Sequence, residues 1–361
     1  MVTRPFRVRA PGRVCFFGEH SDYLGLEVIP GAIDLCIEIV ANPREDREIH
    51  VNYSDLGTHD AFSIATILEP RHRRDYLRSA FNVMARRGIS PAHGWDLQVS
   101  GNIPVAGGLS SSSALTVAAV MTVAQMANKQ TRPAETAQAA YEAEVLEFGE
   151  SGGMMDHFAS AFGGLIHLDC GNNNALTRLP AMIHGVVIGD SKEKKADTVG
   201  DLRAIRSAAE EGYRLLARRI RGFDNRRTPV EKVLREAEVL PDSCRKVVIT
   251  TILNRDLTRR ALKLLSHPQP DPPALGELID EHHRLLRDGL NRSTDKIERM
   301  IAAAKKAGAL GCKINGSGGG GTMMAYAPDN EKEVSRAIES EGGTVHVTRV
   351  GEGASVTTMR E

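Results

Sequence analysis

The chain has 361 residues, 41% of them hydrophobic and 25% charged, a size and balance suited to two packed domains. Its 46 basic and 46 acidic residues cancel to a formal net charge of zero, which argues against nucleic-acid binding by bulk electrostatics. The cysteines (Cys15, Cys36, Cys170, Cys244 and Cys312) are odd in number and never form a C-x-x-C pair, which argues against a disulfide framework or a zinc site and fits a reducing cytoplasm.

In chain order, Phe6 to Phe17, Val28 to Val40, Glu48 to Tyr53 and Trp95 to Val99 read as strands, with a helix over Tyr76 to Arg87 between the last two. Ser110 to Met126 is a helix candidate opened by serines, and Ala134 to Glu147 a second. Short strands are expected at Leu165 to Leu168 and His184 to Ile188. Val199 to Ala307 is mostly helical, broken by prolines; strands at Gly311 to Asn315, Thr322 to Ala327 and Thr344 to Val350 close the chain, with a helix over Asn330 to Glu341. The shift to a helix-rich composition near residue 180 suggests two domains, 1–180 and 181–361. No signal-peptide-like apolar run opens the sequence and no membrane span is expected.

Four segments carry the chemistry. In Pro104-Val-Ala-Gly-Gly-Leu-Ser-Ser-Ser-Ser-Ala-Leu115, a loop with Gly107 and Gly108 runs through Leu109, Ser110, Ser111, Ser112 and Ser113 into an apolar helix. Glycines admit close backbone approach to an oligophosphate, and the unpaired N–H groups of a helix N-terminus favour an anion. No G-K-[ST] ends the loop, so it is not a Walker A motif. In Lys313-Ile-Asn-Gly-Ser-Gly-Gly-Gly-Gly-Thr322, five glycines in six positions, among them Gly316, Gly318 and Gly319, suggest close approach to a ligand or to the first loop. In Ala10-Pro-Gly-Arg-Val-Cys-Phe-Phe-Gly-Glu-His-Ser-Asp-Tyr23, the polar groups Arg13, Glu19, His20 and Asp22 cluster at a strand end, suited to sugar hydroxyls or to a surface salt bridge. The fourth, Glu144 to Gly164, holds Gly153 and, at the start of an amphipathic helix, Asp156, which alone could be an N-cap.

Together these segments resemble the motifs of the GHMP kinase superfamily, which includes galactokinase, homoserine kinase, mevalonate kinase and phosphomevalonate kinase. PVAGGLSSSSAL is similar to P-x-x-x-G-L-S-S-S-A, and KINGSGGGG to the third motif of the superfamily. APGRVCFFGEHSDY resembles the galactokinase signature G-R-[VI]-N-L-I-G-E-H-x-D-Y, and SGGMMDHFAS the galactokinase segment C-G-I-M-D-Q-x-x-S. The resemblance implies a two-domain α+β fold, with a first domain like domain 2 of ribosomal protein S5, a ferredoxin-like second domain and the active site between them. It implies an ATP-dependent kinase acting on the anomeric hydroxyl of a monosaccharide, galactose or a related sugar. Asp156 would be the catalytic carboxylate and Arg13 its neighbour. Glu19, His20, Asp22 and Gly153 would contact the sugar. Gly107 to Ser113, with Gly316, Gly318 and Gly319, would hold ATP, and Mg²⁺ would bind Ser112 and Glu144. Expected partners are ATP and a small sugar, with no nucleic acid or membrane, in a cytoplasmic monomer or weak homodimer.

Three departures bear on the substrate. Cys15, Phe16 and Phe17 replace Asn-Leu-Ile, and His157 replaces the Gln after the aspartate. The stretch after Asp190 lacks the tyrosine that galactokinases place against the sugar, and its Lys192, Lys194, Lys195 and Thr198 resemble the mevalonate kinase pattern T-K-x-x-[RK]-x-T. Those lysines would contact phosphate or an acidic substrate, or form a solvated charge run, which is the reading we prefer. A mevalonate-type kinase is disfavoured because Arg13 stands where mevalonate kinases carry lysine and because Asp22 is present. A kinase of a uronic or amino sugar fits the basic stretch best. A non-catalytic sugar sensor on the same scaffold is opposed by the intact pair of Arg13 and Asp156.

Overall fold

The computed structural model describes residues 4–64, 67–105, 107–194 and 198–359. The strands are β1 (Phe6–Phe17), β2 (Glu27–Pro43), β3 (Glu48–Tyr53), β4 (Thr58–Ser63), β5 (Trp95–Gly101), β6 (Ile166–Asp169), β7 (Ala175–Arg178), β8 (Val186–Asp190), β9 (Gly311–Ile314), β10 (Thr322–Tyr326), β11 (Thr344–Thr348) and β12 (Ser355–Thr358). The helices are α1 (Tyr76–Arg86), α2 (Ser111–Met126), α3 (Pro133–Tyr141), α4 (Met155–Phe162), α5 (Thr198–Arg219), α6 (Val230–Ala237), α7 (Asp242–Leu265), α8 (Pro272–Arg284), α9 (Asp295–Lys306) and α10 (Glu331–Ser340).

The first sheet runs β12-β1-β2-β5-β3-β4, with β6 added to β2 and β7 to β6; the second runs β11-β8-β10-β9. The fold is the two-domain α+β architecture expected. Its hub is α2, whose residues are apolar almost all round; Ala114, Val117, Ala118, Val120 and Val123 are buried, as an all-apolar helix must be. It packs on β1 and β2 and against α1, α3 and α4, which fixes its N-terminus beside the middle of β1.

The boundary expected at 180–181 falls in the loop between β7 and β8. The chain crosses back over it: β12 pairs with the start of β1, Phe6 opposite Thr358, and α7 and α8 pack on β1, their Leu257, Ala261 and Leu275 joining the first core. Three strands have no counterpart among the sequence expectations. β4, β7 and β12 are short, and most of their residues are exposed or only half-buried, so they lack the alternation that marks a strand. The helix expected over Ala134 to Glu147 is α3 followed by a single π turn over Glu142–Leu146.

Candidate active site

The site is built where β1, α2, α4 and the second glycine loop meet. The backbone of β1 is stitched to the first loop, Arg13 N–H donating to Leu109 O at 3.0 Å. Gly12 is required there, because a Cβ would sit 2.6 Å from Leu109 O. The second loop docks on the first: Thr322 donates to Gly107 O from its N–H at 2.9 Å and from its hydroxyl at 2.7 Å. Gly316, in the left-handed region at φ 64°, lies so close that a Cβ would meet Gly108 Cα at 2.8 Å. Of the two uses expected for its glycines, this is approach to the first loop.

The outcome is a cavity of about 270 Å³. Asp156 lies in the first turn of α4, whose N-cap is Met154, so it is not a capping residue. Arg13 grips its carboxylate in bidentate fashion, Nε to Oδ1 at 2.7 Å and Nη2 to Oδ2 at 2.9 Å, and sends Nη1 to Gly108 O at 2.7 Å. Ser110, in left-handed backbone at φ 61°, donates its hydroxyl to Asp156 Oδ2 at 2.6 Å. The Arg13 side chain is 5% exposed and that of Asp156 26%, so the carboxylate faces the cavity while its clamp is buried. Burial opposes the charge on Arg13, yet Asp156 and Glu19 raise its pKa further.

Beyond Phe17 the chain turns at Gly18 (φ 85°) and His20 (φ 64°) and enters a 3₁₀ turn at Asp22–Leu24, which brings Glu19, His20 and Asp22 to the cavity wall. His20 Nδ1 is 2.8 Å from the Tyr23 hydroxyl. Asp22 Oδ2 accepts from Met155 N–H at 3.4 Å. A Cβ on residue 153 would lie 2.2 Å from the same oxygen, so Gly153 serves by admitting Asp22. Burial, then the neighbouring charge of Asp156, pushes the Asp22 carboxyl up to about 6. Glu19, expected to meet sugar hydroxyls, spends its carboxylate on the protein: Oε2 accepts from Lys313 Nζ at 3.1 Å and from Gly316 N–H at 3.0 Å.

At the other end stand Ser111, Ser112 and Ser113 of the α2 N-terminus and Glu144 of the π turn. Glu144 Oε2 is 2.7 Å from His157 Nε2, both groups being buried. Arg74, Tyr76, Glu150 and Ser151 complete this end, and Arg74 pairs with Glu150 at 2.6 Å. Sequence reasoning gave none of these four a role: Arg74 and Tyr76 lie at a loop and helix start without a motif, and Glu150 and Ser151 fall in the fourth segment without being singled out. It also gave no role to Lys313, although Lys313 begins the glycine-rich second segment.

Several expected ligands stand outside the wall. Gly107 and Leu109 hold Thr322 and Arg13 through their carbonyls. Gly318 and Gly319 pack against Arg292: a Cβ on Gly318 would be 2.5 Å from Arg292 O, and Gly319 N–H donates to that oxygen at 2.7 Å. These four have protein partners that account for them, whereas Gly108, Gly316 and Ser110 to Ser113 line the cavity. Lys192 and Lys194 are exposed and outside the wall; Lys195 lies outside the described residues.

A glycine-lined helix N-terminus thus faces an Arg-clamped carboxylate across one cleft. Residues 75–164 match the GHMP kinases N terminal domain, residues 261–344 the GHMP kinases C terminal domain, and residues 2–43 the galactokinase galactose-binding signature. The chain is 30% identical over 350 residues to a mevalonate kinase of Pyrococcus horikoshii, covering 94% of each. It is 29% identical over 358 residues to a galactokinase of Pasteurella multocida, covering 93% of this chain and 89% of that one. In structure it is similar to Lactococcus lactis galactokinase complexed with galactose, with a TM-score of 0.87 at 22% identity over 98% of this chain and 95% of that one. It is also similar to Methanococcus jannaschii mevalonate kinase, with a TM-score of 0.74 at 22% identity over 96% and 98%. The chain belongs to the GHMP kinase family, and its activity is phosphoryl transfer. No described helix is long and apolar enough to cross a membrane.

Proposed function

We propose that the protein transfers the γ-phosphoryl group of ATP to the anomeric hydroxyl of a neutral monosaccharide, galactose or a close relative. One observation carries the choice of acceptor. Asp22 lies beside Asp156 and, among the described residues, has no ion-pair partner. An acceptor bearing its own carboxylate, such as mevalonate or a uronate, would meet that charge in a desolvated cleft, where like charges repel strongly. A sugar offers hydroxyl donors to the same oxygens. Structural similarity to a galactokinase and the match to the galactose-binding signature support this reading; sequence identity to archaeal mevalonate kinases supports a mevalonate-type acceptor instead.

In this mechanism the acceptor hydroxyl sits against the exposed face of Asp156, which orients it and takes its proton as the new O–P bond forms and the bond from the γ-phosphorus to the bridging oxygen breaks, releasing ADP. Arg13 and Ser110 hold the carboxylate in one orientation, and Asp22 and His20 bind other hydroxyls. The N–H groups at the start of α2 and the serine hydroxyls hold the phosphates. Ser112 and Glu144 suit a magnesium ion, since both offer hard oxygen donors in one wall and the His157 contact to Oε2 leaves Oε1 of Glu144 for a metal. When bound, that ion neutralises phosphate charge. With the phosphates, carboxylate and hydroxyl in one small cleft, positioning supplies most of the rate.

The test is ADP release with MgATP across hexoses, pentoses, N-acetylhexosamines, uronates and mevalonate. Turnover of a neutral aldose is expected. Turnover of mevalonate alone would overturn the sugar assignment, and binding of sugar and ATP without turnover would favour a sensor.

A further inference from the structure

Glu19 is tied to distant parts of the chain through its carbonyl and both carboxylate oxygens. Its carbonyl accepts from Asn254 Nδ2 of α7 at 2.8 Å, and the same amide reaches Ser21 Oγ at 3.2 Å. Oε2 accepts from Lys313 Nζ of β9 at 3.1 Å and from Gly316 N–H at 3.0 Å. Oε1 lies 4.0 Å from Arg13 Nη2. The side chains of Glu19 and Lys313 are 3% and 0% exposed. Arg13 in turn grips Asp156. Lys313, Glu19, Arg13 and Asp156 thus form a row of alternating charge from the second sheet to the acceptor end of the cavity.

We propose that Glu19 and Lys313 are positioning residues: a buried brace that fixes the Arg13 guanidinium, and through it the Asp156 carboxylate, against the second glycine loop. A buried lysine and glutamate each cost much in desolvation and persist when the geometry repays it. The Oε1 of Glu19 limits where Arg13 can swing, and the guanidinium, held on one side by Glu19 and Gly108 O, presents a fixed fork to Asp156. A misplacement of about 1 Å at a reacting group costs on the order of 10²-fold in rate, so the brace acts on turnover. The proposal rests on Asp156 being the catalytic carboxylate.

Three variants, E19Q, K313M and E19Q/K313M, are compared by thermal midpoint, acceptor KM and kcat, with whichever acceptor the wild type turns over. A wrong acceptor assignment therefore leaves the test intact. Each single variant is expected to lower the midpoint, because its partner is left as a buried charge without its nearest counter-ion. The double variant, with neither charge, should recover most of the midpoint. It should not recover kcat, which stays on the order of 10- to 100-fold low while acceptor KM stays within about threefold. Recovery of both midpoint and kcat in the double variant would reduce the pair to a fold-stabilising contact. A rise of tenfold or more in acceptor KM for E19Q at unchanged kcat would make Glu19 a substrate ligand, and additive midpoint losses would show that the two residues do not act as a pair.

Discussion

The two ends of the cavity are built from different materials. The end proposed for the phosphates consists of backbone and hydroxyls from one short stretch, Gly108 and Ser110 to Ser113, with Glu144 beside it. The end proposed for the acceptor is lined by charges drawn from β1, the following turn and α4, with Arg13 and Glu19 buried and Asp22 and Asp156 partly exposed, and Lys313 of β9 is buried behind them. A helix N-terminus attracts anions by its own geometry. Buried charges do nothing useful unless tertiary structure sets each against its partner. The first end should therefore be the more sensitive to changes of backbone conformation, and the second the more sensitive to loss of a single charge.

The largest effect is expected at Asp156. Asp156→Asn keeps size and most hydrogen bonding but removes the proton acceptor, so turnover should fall by ~10² or more, while sugar and ATP affinities stay within a few-fold. Turnover and equilibrium binding on the same preparation decide it; near-normal kcat would remove Asp156 from the chemistry. Next comes Gly108→Val at the phosphate end. Gly108 has φ 85°, which a β-branched residue adopts only with strain, and its carbonyl accepts from Arg13. ATP affinity measured by calorimetry should drop at least ~10-fold in a folded variant, because the phosphates need close backbone approach. Unchanged affinity would move the nucleotide elsewhere.

The same contrast explains what could be read from the sequence. The loop and helix start that line one end of the cavity were legible because glycines and serines before an apolar helix state their backbone requirement locally. So were β1 and α2, whose apolar patterns survive burial intact. Asp156 and Arg13 were placed side by side only through resemblance, since 143 residues separate them. Lys313 stayed silent because a lone lysine before a glycine loop carries no local sign that it is buried. The glycine-rich second loop misled in part: Gly318 and Gly319 relieve crowding against Arg292, a tertiary need indistinguishable in sequence from a ligand's. His157, a departure from the family pattern, is the partner of Glu144, a contact that spacing along the chain does not announce.

The smallest effect expected is thermodynamic and isolates the cost of the acceptor end. In the unfolded chain Asp22 titrates near the ordinary aspartate value of about 3.9. In the folded protein, burial and Asp156 hold it near about 6. Between these values the native state binds more protons than the unfolded state, so stability falls as pH rises through that window. Above it the ionised Asp22 subtracts about 3 kcal/mol. Asp22→Asn keeps an oxygen for the Met155 N–H and removes the titration. Relative to the wild type, the variant should therefore gain in thermal midpoint as pH rises from about 4 to 6 and hold that gain at pH 7 to 8. Its acceptor KM should rise at the same time, because an amide oxygen is a weaker acceptor than a carboxylate. A midpoint difference that is constant with pH would mean that Asp22 ionises without penalty. The acceptor end would then lack the uncompensated charge on which discrimination against anionic substrates depends.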